Sequence, residues 1–234
     1  MSVDVSAVST FPIFAGLDRR SCETVLREAR SCRFAHGKAV FEQGVQVSSI
    51  YLLLRGHVRL SRVTKTGDQV TVRLVASGAI FGAAHAMGLA THPVSANTME
   101  ESVILSWPAT AWGDLSVQIP LLAANTLKAV GEKLQEAQNR MVEMATEQVD
   151  QRLARTLLRL ADRSSRRTEA GVAITFPLTR RDIAEMTGSS IFTVSRRLSH
   201  WEERGWICGS RQRVVLRLPQ ALRAIAADVR ASQN

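Results

Sequence analysis

The spacing of apolar positions changes twice along the chain, which indicates three structural segments. Between Phe34 and Trp107, short apolar and β-branched runs alternate with single glycines. Runs of strand length cover residues 49–54, 57–60 and 69–75. Glycines between strands of this length predict a barrel, a sandwich or a β-roll. A helical apolar pattern over residues 18–30 predicts a small helix ahead of it.

After Pro120 the apolar positions recur at alternating steps of three and four. They are Leu127, Val130, Leu134, Ala137, Met141 and Met144. A seam this narrow is typical of a two-stranded coiled coil, whereas a helix that lies on a domain usually has a wider apolar face. We therefore expect these six residues to form a homodimer interface. The alternative is a helix that packs along its own β domain.

The third segment starts near Glu147 and mixes helical and strand patterns. The expected elements are an opening helix, a Ser/Arg-rich break over 163–168, a strand over 171–177, helices over 179–186 and 191–203, a hairpin over 206–218 and a last helix after Pro219. Two short helices followed by a hairpin are the parts of a winged helix-turn-helix.

The two short helices carry the steric signature of a helix-turn-helix. Thr179 and Asp182 have the pattern of a helix N-cap. Ala184, Gly188 and Val194 then place a small residue where two helices cross, a glycine in the turn and an apolar anchor in the second helix. The inward stripe of that helix is Val194, Leu198 and Trp201. Its opposite face is left free to enter the major groove of DNA.

Positive charge is concentrated in the same segment. The chain has a net charge of +9, and residues 147–234 alone carry +7, from sixteen arginines, no lysine and nine acidic residues. An anionic partner is therefore expected, either nucleic acid or an acidic membrane surface. The hairpin carries Arg211, Arg213 and Arg217, and its charge suits a wing that contacts phosphates. A solvated hairpin face is the alternative.

Composition excludes several classes of protein. With 234 residues, 45% hydrophobic and 22% charged, the chain suits one or two globular domains. No apolar run approaches about 18 residues and no signal peptide is apparent, so we expect a cytoplasmic protein. Cys22, Cys32 and Cys208 form no disulfide framework and no zinc pattern, so they are expected to be reduced thiols. No P-loop, dinucleotide-binding glycine motif, HExxH or nucleophile elbow indicates an enzyme.

Five stretches together resemble the CRP/FNR superfamily of bacterial transcription regulators. Three are similar to its cyclic-nucleotide domain: Gly37–Gly44, Tyr51–Leu60 and Gly78–Gly82. Two are similar to its DNA-binding signature: Leu178–Gly188 and Thr193–Arg196.

The resemblance spans about residues 11–228 and implies an α+β fold. The expected parts are a sensory, jelly-roll-like double-stranded β-roll over 1–118, a dimerisation helix over 119–146 and a winged helix-turn-helix over 147–234. It also implies a homodimer that binds double-stranded DNA and contacts RNA polymerase, without contact to a membrane.

Departures from the family pattern limit the expected effector. Members that bind cyclic AMP place a Glu after Phe-Gly and later an Arg for the phosphate, where this chain has Ala83 and Val94-Ser95. A buried phosphate without its cation is costly, so cyclic AMP is not expected. Three cysteines are too few for the iron-sulfur cluster of the oxygen-sensing branch.

An effector pocket is nevertheless expected, although its ligand is unknown. The candidate residues are Phe81, Gly82, Ala83, His85, Val94 and Ser95. His85 and His92 admit a heme that responds to nitric oxide or carbon monoxide, because gas sensors of this superfamily carry heme in the β domain. A surface or hydrogen-bonded histidine is the alternative for each. A redox role for Cys22 or Cys32 is a further alternative.

The resemblance also implies roles at the DNA. Arg196 matches the guanine-reading Arg of the family and Ser195 matches the Ser of the FNR branch, whereas Phe192 replaces a Glu that accepts from cytosine. Ile191 and Phe192 suit contacts with thymine methyl groups. Phosphate contacts are assigned to Arg180, Ser190, Thr193, Arg211 and Arg213. The expected function is a dimeric regulator on a palindromic site, and the competing class is a ligand-binding protein that adheres to nucleic acid without specificity.

Overall fold

The computed structural model describes residues 4–210 and 212–227. The chain separates into two compact units, Met1–Glu136 and Ala137–Asn234, and the division falls inside one long helix. The α+β fold predicted from the sequence is confirmed, with a β-roll, the long helix and a winged helix-turn-helix in that order. Within the described ranges, no helix combines the length and apolarity needed to cross a membrane.

The first unit is built around eight strands. They are β1 (Arg30–Phe34), β2 (Ala39–Phe41), β3 (Ser49–Arg55), β4 (Val58–Val63), β5 (Gln69–Val75), β6 (Ile80–Phe81), β7 (Ser95–Thr98) and β8 (Ser102–Pro108). Its helices are α1 (Val5–Val8), α2 (Arg19–Arg27), α3 (Ala109–Gln118) and the first turns of α4 (Pro120–Thr146). Short 3-10 turns cover Pro12–Phe14 and His85–Met87. The helix expected over 18–30 thus stops at Arg27, because the chain enters β1 at Arg30.

Two antiparallel sheets face each other in the roll, with strand orders β1-β8-β3-β6 and β2-β7-β4-β5. Strand β3 explains the continuous apolar run found in the sequence. Its Ile50 and Leu52 pack into a core against the helices, whereas Leu53 packs into the core between the sheets. Because successive side chains point to opposite faces, a strand buried on both faces must be apolar throughout.

Helix α4 starts inside the first core and leaves it along its length. Leu122 is fully buried in that core, and Asn125 donates to the backbone oxygens of Ile13 and Ala15 at 3.0 and 2.9 Å. After Thr126 the described side chains of the helix are exposed or half-buried. The first turns of α4 are therefore a structural part of the roll.

The second unit contains four further strands and four helices after α4. They are α5 (Val149–Arg163), β9 (Ser165–Thr168), β10 (Gly171–Ile174), α6 (Arg180–Thr187), α7 (Ile191–Glu203), β11 (Ile207–Ser210), β12 (Arg213–Leu216) and α8 (Pro219–Ala227). The strands form one sheet in the order β11-β12-β10-β9. The break expected over 163–168 is wrong, because most of it forms β9, an exposed strand that pairs with β10.

The turn between α6 and α7 follows the predicted chemistry. The Thr179 hydroxyl accepts from the Asp182 amide at 3.1 Å, and the Asp182 carboxylate accepts from the Thr179 amide at 2.9 Å, which completes a capping box. Gly188 ends α6 with φ +60°, a left-handed conformation that glycine adopts without strain. Val194 is fully buried and anchors α7 beneath this turn.

A cluster of aromatic rings fills the roll beside the predicted effector pocket. The Phe41 and Tyr51 ring centroids lie 5.3 Å apart, and those of Tyr51 and Phe81 also lie 5.3 Å apart. Gly82 has φ +69°, and a Cβ at this position would lie 2.7 Å from Tyr51 Cδ2. The aromatic cluster therefore leaves no room for a side chain at Gly82.

Gly82→Ala should lower the free energy of unfolding by about 2–4 kcal/mol, because a left-handed alanine and an overpacked core each have a cost. Gly67→Ala is the matched control: Gly67 also has a positive φ, but nothing lies within 4 Å of its added Cβ. Its cost should be about 1 kcal/mol. Urea denaturation followed by tryptophan fluorescence measures both, and equal costs would contradict the role of the ring contact.

Candidate nucleic-acid interface and effector cavity

Helix α7 begins at a capped N-terminus. The Ser190 hydroxyl accepts from the Thr193 amide at 3.1 Å and lies 2.9 Å from the Thr193 hydroxyl. These are two of the residues predicted to contact phosphate. The N-terminus of a helix carries partial positive charge and free backbone donors, so the start of α7 suits an anionic group.

The outer face of α7 combines apolar and cationic side chains. Phe192 is 84% exposed and Ile191 is 43% exposed, on a helix whose inward stripe of Val194, Leu198 and Trp201 is buried as predicted. Arg196 is exposed and Ser195 is half-buried beside it. The structure therefore brings all four predicted base-reading residues to the start and outer side of one helix.

The arginines of this unit divide into paired and unpaired groups. On α7, Arg197 forms an ion pair with Asp150 at 3.1 Å, whereas Arg196 has no partner among the described residues. Arg213 is exposed on β12 and is likewise unpaired within the described part of the chain. An unpaired guanidinium keeps all of its donors available for an external acceptor.

Arg180 lies between α6 and α7 and already has intramolecular partners. Its guanidinium donates to the Ser195 carbonyl and the Ser199 hydroxyl at 3.4 Å each, and it pairs with Glu202 at 3.3 Å. A phosphate contact by Arg180 must use the donors that these bonds leave free. Arg211, also predicted to contact phosphate, lies outside the described residues.

The predicted dimer stripe lies on an exposed side of α4. Leu127 is 73% exposed, Leu134 61% and Met141 72%, although all three are large apolar residues. Met144 and Ala137 are also exposed, and Val130 is half-buried. Water contact with so much apolar surface is unfavourable. The stripe has the exposure that an interface with a second copy requires.

A cavity of about 320 Å³ lies where the effector pocket was expected, between the roll and α4. Four of the six predicted residues line it: Phe81, Gly82, Ala83 and Val94. Ser95 does not line it, because its hydroxyl turns to accept from the Gln43 amide at 2.9 Å. His85 does not line it either, because the turn His85–Met87 carries the imidazole toward a different cavity.

His92 is the polar group most enclosed by this cavity. It is 2% exposed, it lies face to face with Phe41 at a ring distance of 3.8 Å, and its ring forms no hydrogen bond among the described residues. Burial lowers the pKa of His92 below its usual range, so the ring is neutral at pH 7. A neutral imidazole offers one donor and one acceptor, and the buried Nδ1 of His92 has no partner among the described residues.

Two cations on the cavity wall were not found from the sequence. Arg73 donates to the Ile80 carbonyl at 3.0 Å, and Lys133 forms a hydrogen bond with Glu136 at 3.1 Å. Arg73 reaches the cavity from β5 and Lys133 from α4, so no local motif connects them. The Lys133 charge is paired with a carboxylate, whereas Arg73 donates to a neutral carbonyl and keeps its positive charge at the cavity wall.

The cysteines are free thiols. Burial raises the pKa of the Cys22 thiol, which makes it a poor nucleophile, whereas Cys32 is exposed. In the described part of the chain, no three His, Cys, Asp or Glu side chains come together as a metal site. His85 and His92 line different cavities, so they do not converge on one heme.

Comparisons with known proteins agree with this architecture. A family model of the cyclic nucleotide-binding domain matches residues 31–118, and a model of the Crp-like helix-turn-helix domain matches residues 151–225. The CRP-like cAMP-activated global transcriptional regulator of Mycobacterium tuberculosis is 24% identical over 195 residues, which cover 83% of this chain and 87% of that protein. The fumarate and nitrate reduction regulatory protein of Escherichia coli K12 is 23% identical over 194 residues, which cover 83% and 77%.

A solved structure extends the agreement to the fold. The structure of a CRP-family transcriptional regulator from Thermus thermophilus matches with a TM-score of 0.74 and 26% identity, covering 84% of this chain and 97% of that one. Both family models lie on the units described above, the first on the roll and the second on the winged helix-turn-helix. The chain therefore belongs to the CRP/FNR superfamily of DNA-binding transcription regulators.

Proposed function

We propose that this regulator binds a palindromic DNA site as a homodimer, with α7 of each protomer in the major groove. The observation that carries the proposal is the outer face of α7, where an 84% exposed Phe192 lies on the same helix as the unpaired Arg196. A guanidinium reads guanine through two hydrogen bonds, and an aromatic side chain packs against thymine methyl groups. Ile191 and Ser195 complete the base-reading set.

Contacts with phosphate position this helix. Ser190 and Thr193 place hydroxyls and backbone donors at the start of α7, and Arg213 extends from the wing. Arg211 and the remaining donors of Arg180 join them in this proposal. These contacts fix the register without reading sequence, and they make binding sensitive to salt.

The six-residue stripe on α4 supplies the dimer. Two such stripes bury each other in a coiled coil, and the symmetry of a dimer matches that of a palindrome with half-sites about one helical turn apart. A signal in the roll then changes the position of α4 and with it the two recognition helices. The regulator acts in the cytoplasm together with RNA polymerase, as the family resemblance implies.

The signal is not cyclic AMP in this proposal. Ala83 and Val94 occupy the cavity wall where the family places its Glu and Arg. Of the two cations on that wall, Lys133 is paired with Glu136 and Arg73 donates to the Ile80 carbonyl. A cavity whose wall is mainly apolar, with a neutral His92, favours an uncharged ligand.

Heme-dependent sensing of nitric oxide or carbon monoxide is the second candidate. It retains support only from His92, which has an unpartnered ring in the effector cavity. His85 is exposed beside another cavity, and the two histidines together do not fit a heme. Non-specific adhesion to nucleic acid is the competing class, and equal affinity for selected and random duplexes would favour it.

Arg196→Ala should weaken binding to the selected site by about 1–3 kcal/mol and relax the demand for one base, because it removes a base contact. Arg213→Ala should weaken all sequences alike and reduce the salt slope by about 1, because it removes a phosphate contact. Selection from a randomised duplex library with the wild-type chain and both variants measures this.

The sites selected by the wild-type chain should keep a guanine opposite Arg196. At the base pair that faces Phe192, they should lack the preference that the Glu gives in the family. Recovery of the ordinary family palindrome would contradict the role of Phe192. If both arginine variants flatten specificity equally, the division into base and phosphate contacts is wrong.

Leu134→Glu should convert the dimer to a monomer, because it places a buried charge in each helix of the coiled coil. Val142→Glu is the matched control, because Val142 is 61% exposed on the same helix but lies outside the stripe. Sedimentation velocity measures the mass against the chain mass of 25.7 kDa. A wild-type monomer, or dissociation by both variants, would contradict the proposed interface.

Calorimetric titration of the purified protein with cyclic AMP should show no saturable heat, because Ala83 and Val94 replace the Glu and Arg that hold this ligand in the family. Titration with heme should give no stoichiometric Soret band. A band that is lost in His92→Ala but kept in His85→Ala would instead establish the heme candidate. Saturable binding of cyclic AMP would overturn the assignment of the pocket.

A further inference from the structure

A second cavity of about 520 Å³ lies in the first unit, on the other side of the turn His85–Met87 from the effector cavity. Its walls come from β3, this turn, α3 and the first turns of α4. Among the described residues, it shares only Met87 and Val130 with the effector cavity. Three of its lining residues have roles predicted from the sequence: His85 in the effector pocket, and Leu127 and Val130 in the dimer stripe. We call this space the α3 cavity.

One residue in the wall of the α3 cavity has a buried hydrogen-bond donor without an acceptor. Trp112 on α3 is 3% exposed and lines the cavity, and its indole N–H has no partner among the described residues. The ring of Trp107 lies 5.1 Å away by centroid, and its indole N–H has an acceptor, because it donates to the Val25 carbonyl at 2.7 Å. A buried donor without an acceptor is unfavourable, so a ligand that brings an acceptor to it would be stabilised.

Gly113 follows Trp112 and also lines the cavity. It lies inside α3, where glycine is less favourable than alanine. Its φ is not positive, and an added Cβ would have nothing within 4 Å. Neither backbone conformation nor packing within the first unit requires glycine here. Gly113 is exposed, and it adds no side chain to the wall of the α3 cavity.

The lining defines the chemistry of the ligand. Within the described part of the chain, no Asp, Glu, Lys or Arg lines the α3 cavity; its walls are mainly aliphatic and aromatic, with His85, Ser116 and Thr126 as the polar side chains. Thr126 already donates to the Leu122 carbonyl at 2.7 Å. A charged ligand would lose its hydration without a compensating ion pair.

We propose that the α3 cavity is a binding site for an uncharged, largely apolar molecule that carries one acceptor oxygen, such as a ketone or an ester, and that Trp112 donates to this oxygen. Among the described residues, the site shares only Met87 and Val130 with the effector cavity, and it belongs to the first unit, whereas the proposed DNA contacts belong to the second. Leu127 and Val130 belong both to its wall and to the dimer stripe, so its occupant touches α4 at the start of that stripe.

The test uses the full-length protein and the neutral naphthyl ketone Prodan as the probe, with directly excited Prodan emission as the readout. The wild-type chain should bind it saturably, with one probe per chain and blue-shifted emission. Gly113→Leu, which fills the cavity from α3, should weaken binding by about ten-fold or more. Trp112→Phe keeps an aromatic ring and removes the donor, so binding should weaken by about five-fold, the loss expected for one hydrogen bond.

Two controls accompany these variants. Gly113→Ala adds a single methyl group and should bind within about two-fold of the wild type while the helix becomes more stable. His92→Gln alters the effector cavity and should leave Prodan binding unchanged. Thermal unfolding by circular dichroism confirms that each variant is folded, and Trp112→Phe provides the test if Gly113→Leu does not fold.

Absence of saturable binding by the wild-type chain would overturn the proposal, as would equal binding by Gly113→Leu, or loss of binding only in His92→Gln. Weaker binding by Gly113→Leu with unchanged binding by Trp112→Phe would support the cavity and overturn the hydrogen bond. Because no DNA is present, failure here is distinct from failure of the proposed DNA contacts.

Discussion

The two central strands of the first sheet, β8 and β3, are buried on both faces, and the rest of the first unit is arranged around this constraint. One face needs the N-terminal helices, α3 and the start of α4 to cover Ile50 and Trp107. The other needs the second sheet to cover Leu53 and Ile104. Helices on one side and a sheet on the other leave gaps at the edge where the turn His85–Met87 crosses, and both cavities open there.

Local chemistry was the part of the structure that the sequence could predict. The capping box at Thr179 and Asp182, the left-handed turn at Gly188 and the buried anchor at Val194 each depend on residues close in sequence. The strand β9 was missed because all four of its residues are exposed, so no alternation of apolar and polar positions marks it. Its pairing with β10 comes from the backbone rather than from burial.

The cavities could be predicted only in part, because their walls come from distant parts of the chain. Phe81, Gly82 and Ala83 were found as a continuous motif, whereas Arg73 and Lys133 are brought beside them by β5 and α4. His85 follows the motif closely in sequence, yet the turn carries it to the α3 cavity. The prediction that His85 lines the effector cavity was therefore wrong, because residues close in sequence can line different cavities.

The arginines of the DNA-binding unit serve structure as well as charge. On α5, Arg159 donates to both oxygens of Glu143 at 2.6 and 2.8 Å, Arg152 donates to the Thr187 carbonyl, and Arg155 donates to the Ala226 carbonyl. These contacts join the ends of α4, α6 and α8 to one helix. The net charge of +7 therefore overstates the number of cations available to DNA. The same contacts explain part of the preference for arginine, because its several donors suit carbonyls and carboxylates alike.

The division between the two units falls within α4, a helix without a break, rather than in a loop. Its first turns are embedded in the roll through Leu122 and Asn125, and its last turns are held to α5 through Glu143. A loop would absorb torsion by changing a few backbone angles, whereas an α-helix resists it because each turn is hydrogen-bonded to the next. A twist of α4 about its axis at one end is therefore transmitted along the helix to its other end.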